Sequence, residues 1–119
     1  MEYISSDTNI WIDFQAICRL DVPFRLDVKC IMYHEAMRAE IIEPPELLKS
    51  LSKLGLEGVS ISTEEFYLAA DLLDKYRNIS RYDATALAIA KARKISLLSG
   101  DKALRNAAKS EKVSILGSI

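Results

Sequence analysis

The run Ile79 to Asp101, ISRYDATALAIAKARKISLLSGD, constrains the fold more than any other part of the chain, because a capped helix, a strand and an acid follow one another directly in it. Ser80 with Asp83 three residues on has the form of a capping box, and the run Ala84 to Arg93 behind it is made of strong helix formers without Gly or Pro. Asp83 is therefore expected near a helix N-terminus. After Lys94 the pattern changes to Ile95, Ser96, Leu97 and Leu98, a short apolar strand ending in a turn at Ser99, Gly100 and Asp101. Asp101 then lies just past the carboxyl end of a strand. In open α/β sheets ligands bind at that edge, where loops converge and the next helix presents its positive end.

Length and charge narrow the field. A chain of 119 residues is expected to form a single domain, residues 1–119, and to bury roughly two thirds of the surface its unfolded form exposes. No apolar run approaches the roughly 18 residues of a membrane span, and the N-terminal MEYISSD is not a leader pattern, so a cytoplasmic protein is expected. Cys18 and Cys30 are isolated and His34 is the one histidine, which argues against a disulfide framework and against a thiolate or imidazole zinc site. A metal would have to be held by oxygen. With 16 basic and 17 acidic residues the net charge of -1 gives no global pull toward nucleic acid, so that role needs a local basic rim.

Taken in order, Tyr3 to Ser6 reads as a strand, with Asp7, Thr8 and Asn9 at the corner before a helix whose inner face is Ile10, Trp11, Phe14, Ile17 and Cys18. Asp21 to Asp27 reads as a loop and Val28 to Met32 as a second strand. Tyr33 to Ile42 is helical and is ended by Glu43, Pro44 and Pro45; a further helix, Glu46 to Leu54, is closed by Gly55. Leu56 to Ile61 is expected to be a loop with a very short extended piece. Ser62 and Glu65 repeat the capping-box pattern before an amphipathic helix through Tyr76. Beyond Asp101, Lys102 to Ser110 is helical with Leu104, Ala107 and Ala108 inward, and Val113 to Leu116 is a last strand. This order predicts a compact parallel β-sheet with helices on both faces, an α/β fold of the three-layer α/β/α, Rossmann-like kind.

Asp7, Asp83 and Asp101 thus occupy equivalent corners, and Glu40 lies on the helix after the second strand. Each alone has a capping or solvated reading. Together they would meet at one edge of a parallel sheet, and crowded carboxylates are kept chiefly where a cation sits among them. The chain here resembles the PIN-domain family of metal-dependent nucleases, which includes the toxins of many toxin-antitoxin pairs. The resemblance is carried by Asp7-Thr8-Asn9-Ile10, Ala39-Glu40-Ile41, Ser80-Arg81-Tyr82-Asp83 and Leu98-Ser99-Gly100-Asp101 with Lys102, Leu104 and Arg105.

That resemblance implies an endoribonuclease in which Asp7, Glu40, Asp83 and Asp101 are the catalytic carboxylates and hold Mg²⁺ or Mn²⁺. It also implies that Asn9 and Ser99 orient carboxylates or waters, that Arg81, Lys102 and Arg105 grip the RNA backbone, and that an antitoxin protein or a second copy, as a homodimer, are the macromolecular partners to expect. Glu35 is not expected as a ligand. Five residues at ~100° each place it about 140° around the helix from Glu40. Tyr82 and Trp11 are ring candidates for stacking on bases, but their amphipathic settings assign them to the core. One alternative is a PIN-like binding or assembly module without catalysis. Another is a phosphoacceptor signalling domain, which the chain resembles less because Asp7 is followed by Thr8 and Asn9 and not by a second acid.

Overall fold

The computed structural model describes residues 2–7, 28–40 and 56–116, and within these nothing is stated of the side chains of Glu2, Val28, Ala39, Glu40 and Leu116. The helices expected over Ile10–Cys18 and Glu46–Leu54, the loop between Asp21 and Asp27, and Asn9 lie outside the described residues. Within them the order is β1 (Glu2–Ser6), β2 (Val28–Tyr33), α1 (His34–Glu40), β3 (Glu57–Val59), α2 (Thr63–Lys75), α3 (Arg81–Arg93), β4 (Ser96–Leu98), α4 (Lys102–Ser110) and β5 (Ile115–Leu116).

The strands form one sheet in the order β3-β2-β1-β4-β5, and every pairing is parallel. With helices packed on it the sheet makes the expected three-layer α/β/α arrangement. The chain builds outward from β1 to β2 and β3, then returns to add β4 and β5 on the other side. The order therefore reverses between β1 and β4, and a crevice at the carboxyl ends of those two strands is where such sheets bind ligands.

The sheet is held to its helices through α3, in which seven consecutive residues, Ala84 to Ala90, are buried. A helix apolar on one face cannot do this; an Ala-rich helix wrapped by neighbours on every side can. Leu87, Ala88 and Ile89 have no exposed surface, and Leu97 of β4 and Leu104, Ala107 and Ala108 of α4 complete that core. Small side chains let α3 approach β1 closely. Ser5 of β1, fully buried, donates a 2.9 Å hydrogen bond to the Ala86 carbonyl of α3, and Ser6 donates to the Ile31 carbonyl of β2 at 3.1 Å. Both hydroxyls are thereby satisfied where an unpaired one would be costly.

Both expected capping boxes are present, Ser62 with Glu65 on α2 and Ser80 with Asp83 on α3. At its other end α3 closes without glycine: Lys94 takes the left-handed conformation, φ 57°, and the Ile95 N–H returns to the Ala90 carbonyl at 2.9 Å. Several boundaries differ from the sequence reading: the first strand starts one residue earlier, at Glu2, and the last is shorter, Ile115–Leu116 where Val113–Leu116 is expected. Tyr33 ends β2 and does not begin α1, and β4 starts at Ser96. The stretch expected to be mostly loop contains β3, which three parallel pairings with Ile31, Met32 and Tyr33 hold in place. Gly58 suits that edge because a Cβ there would stand 3.0 Å from Met37 Sδ and 3.2 Å from His34 Cβ of α1. Among the described residues no helix is long and apolar enough to cross a membrane.

Candidate active site

Asp7 follows the last residue of β1 and is only 3 % exposed. Its N–H reaches the Leu98 carbonyl at 3.3 Å, which extends the β1–β4 pairing by one residue and fixes the acid at the reversal of strand order. Ser99, fully buried at the end of β4, donates from Oγ to Asp7 Oδ2 at 2.6 Å and accepts from the Asp101 N–H at 3.0 Å. A charge-assisted bond of that length holds a carboxylate in one orientation. One serine hydroxyl thus ties the two corners together.

Asp101 caps α4, its Oδ2 accepting from the Leu104 N–H at 2.9 Å. Asp83 reaches back from the first turn of α3, with Oδ2 accepting from the Ser80 N–H at 3.1 Å. The capping reading of both acids is therefore realised, and each cap engages Oδ2, one oxygen of the two. Burial pushes the Asp83 carboxyl above the ordinary carboxylate range, the Ser80 hydrogen bonds oppose this, and the negative charge of Asp101 adds to it. Asp83 and Asp101 therefore feel each other across the rim. Glu40 is the last residue of α1. Glu35, in the first turn of that helix, is exposed and borders a groove facing α2.

Among the described residues, no three or more His, Cys, Asp or Glu side chains come close enough together to hold an ion. What the rim offers is the right chemistry for a hard cation: carboxylate oxygens, one desolvated beside a second negative charge, a position a cation would relieve. The thiol and imidazole donors among the described residues, Cys30 and His34, are placed elsewhere. Cys30 is buried within β2 with its thiol pushed up to about 11 by burial, so it is no thiolate at neutral pH, and His34 begins α1.

The three expected cations divide. Arg81 opens α3 and Lys102 opens α4, both exposed, while Arg105 is half-buried one turn into α4. A cation in a helix's first turn works against the helix dipole, so Arg81 and Lys102 are not placed for helix stability. Arg81 lies 5.0 Å from the Tyr82 ring centroid and donates to the Tyr82 hydroxyl at 3.3 Å. Tyr82 is half-buried and faces Tyr33 with ring centroids 6.5 Å apart. The sequence assigned Tyr82 to the core and passed over Tyr33, because no local pattern announces a pair 49 residues apart.

A family model described as "PIN domain" matches residues 32–110, about two thirds of the chain. No curated protein matches. Among solved structures, a PilT N-terminus domain protein from the hyperthermophilic archaeon Sulfolobus solfataricus P2 superposes with a TM-score of 0.70, covering 98 % of this chain and 87 % of that one at 16 % identity. At that identity the likeness is one of fold.

Proposed function

The chain belongs to the PIN-domain family, and from that premise we propose that it is a Mg²⁺- or Mn²⁺-dependent endoribonuclease working at Asp7, Glu40, Asp83 and Asp101. The observation that carries the reading is the Asp7–Ser99–Asp101 linkage at the reversal of strand order, with Asp83 electrostatically coupled to Asp101. When bound, such an ion supplies Lewis acidity, making water acidic enough to attack a phosphodiester at neutral pH and offsetting charge at phosphorus and on the leaving oxygen.

The residues do the rest. Ser99 holds Asp7 Oδ2 in a fixed direction, and the α3 and α4 caps do the same for one oxygen of Asp83 and one of Asp101. Asn9 is assigned, with Ser99, to orienting carboxylates or water. Arg81, Lys102 and Arg105 bind the phosphates flanking the cleaved bond and bring a polyanion to a rim that would otherwise repel it. RNA is the substrate on this reading, and an antitoxin protein or a second copy of the chain is the partner to seek by co-purification and sizing.

Mn²⁺ titration by calorimetry tests the ligand set. Asp83→Asn and Glu40→Gln should each weaken binding by roughly 10- to 100-fold and Glu35→Gln should leave it unchanged. Loss of binding in Glu35→Gln with full binding in Glu40→Gln would reverse the assigned register of α1.

A further inference from the structure

Between α2 and the start of α3, at the carboxyl end of β2, lies a groove of about 220 Å³. Its lining includes the rings of Tyr33, Tyr82 and Phe66, the exposed Ala70 of α2, and two charged groups, Arg81 and Glu35. The Phe66 side chain is left 59 % exposed there. An exposed ring beside two half-buried ones makes a contiguous aromatic surface, the kind that marks an interaction site. A purely apolar cover would strip water from the Arg81 guanidinium, which donates to the Tyr82 hydroxyl, and from the Glu35 carboxylate, which shares a hydrogen bond with the Tyr33 hydroxyl, and a neutral hydroxyl does not offset the desolvation of a charge. A nucleotide answers both demands, because it joins a flat aromatic base to an anionic phosphate and carries hydrogen-bond donors on its edge.

We propose that this groove receives one base of single-stranded RNA, stacked on Tyr82 or Tyr33, with Arg81 on the adjoining phosphate. The identification of RNA rests on the nuclease reading; the groove's chemistry does not. Two features connect it to the acidic rim. Tyr82 immediately precedes Asp83 on α3, and Tyr33 ends β2, the strand beside β1. A base held there places the neighbouring backbone toward the carboxylates. The groove also has a selecting group. Glu35 is acceptor-only when ionised, so it pairs with the exocyclic amino group of adenine, cytosine or guanine and opposes the carbonyl edge of uracil.

Fluorescence anisotropy with labelled A, C and U oligoribonucleotides of about eight nucleotides, in chelator so that none is cut, tests this. The A and C oligomers should bind ~10-fold more tightly than U. Ala70→Leu fills the groove from an exposed position on α2 and should reduce A and C to the level of U. Tyr82→Ala should do likewise and Tyr82→Phe should restore binding, while Glu35→Gln should erase the discrimination against U. The proposal is overturned if the parent binds none of the oligomers, or if Ala70→Leu, folded by circular dichroism, binds all three as the parent does. Should Tyr82→Ala fail to fold, Ala70→Leu decides alone. Groove-dependent binding without any metal-dependent cleavage would retain the groove and remove the nuclease reading. Metal-dependent cleavage with groove variants unchanged in affinity would do the opposite.

Discussion

Ser99 Oγ and Asp7 Oδ2, 92 residues apart in the chain, lie 2.6 Å apart in a buried hydrogen bond. The bond exists because β1 and β4 are parallel neighbours whose carboxyl ends coincide, so the residue after each strand meets the other. It converts a feature of topology into a fixed carboxylate.

Removing that hydroxyl should therefore cost both stability and activity. Ser99→Ala takes a donor from a buried carboxylate, a loss on the order of 1–3 kcal/mol, and should lower RNA cleavage by roughly 10- to 100-fold. Ser99→Thr, which keeps the hydroxyl, should recover part of both. Urea melts and initial cleavage rates measure the two effects; an Ala variant as active as the parent would make the bond purely structural.

Ser5 sets the distance between the sheet and α3. Its hydroxyl reaches the Ala86 carbonyl at 2.9 Å, three residues after Asp83. Ser5→Val adds bulk where the two elements touch and loses the bond, and should cost about 1–3 kcal/mol. It should also weaken Mn²⁺ binding by displacing Asp83, whereas Ser5→Ala should cost less and leave binding near normal. Calorimetry on both variants checks the difference.

Glu111 gives the fold a dependence on acid. Its side chain, 6 % exposed, accepts from Lys75 at 2.8 Å and also from Lys91 and the Tyr76 hydroxyl. These hydrogen bonds, Lys75 first, lower its pKa from 4.5 to about 2. A depressed folded value means the stabilisation is complete above pH 4.5 and is lost as pH falls toward 2. Lys75 is largely exposed, so the effect is set on the order of 1–2 kcal/mol. Glu111→Gln should melt lower than the parent at neutral pH, with the gap closing in acid. A gap independent of pH would refute the assignment.

Asp101→Asn separates the capping role from the proposed metal role. Asn caps about as well as Asp, so α4 should persist. Asp83 has a raised folded pKa, which means its charge is disfavoured in the native state. That penalty grows as pH rises from the unfolded value of 3.8 through the raised folded one, and is full at neutral pH. Removing the Asp101 charge relieves part of it. In chelator the variant should melt level with the parent or higher, by no more than ~1 kcal/mol. In millimolar Mn²⁺ the parent should gain more. A lower melt in chelator, or an equal gain from Mn²⁺, would leave Asp101 as a helix cap alone.

What the sequence disclosed follows from the range of each interaction. The Ser62–Glu65 and Ser80–Asp83 capping boxes are local chemistry and are legible in four residues. The buried face of α4 is written in the spacing of Leu104, Ala107 and Ala108. β3 is legible only as a very short extended piece in a loop, since Glu57, Gly58 and Val59 carry no alternation and take their place in the sheet by pairing with β2. The site divides in the same way. Asp7, Asp83 and Asp101 could be placed at corners from element boundaries, and family likeness singled out Ser99. The Tyr33–Tyr82 pair and the Ser5 peg depend on packing between distant segments and left no local trace.

On the proposed reading the acids around Asp7 make this chain a metal-dependent ribonuclease. The most direct test of that reading is cleavage of end-labelled RNA by the parent and by folded Asp7→Asn, each in Mg²⁺, in Mn²⁺ and in excess chelator. Cleavage by the parent in metal alone, and loss of at least ~100-fold of that rate in Asp7→Asn, is the predicted result. Cleavage that survives chelator, equal rates in the two proteins, or no cleavage by the parent in either metal would contradict it.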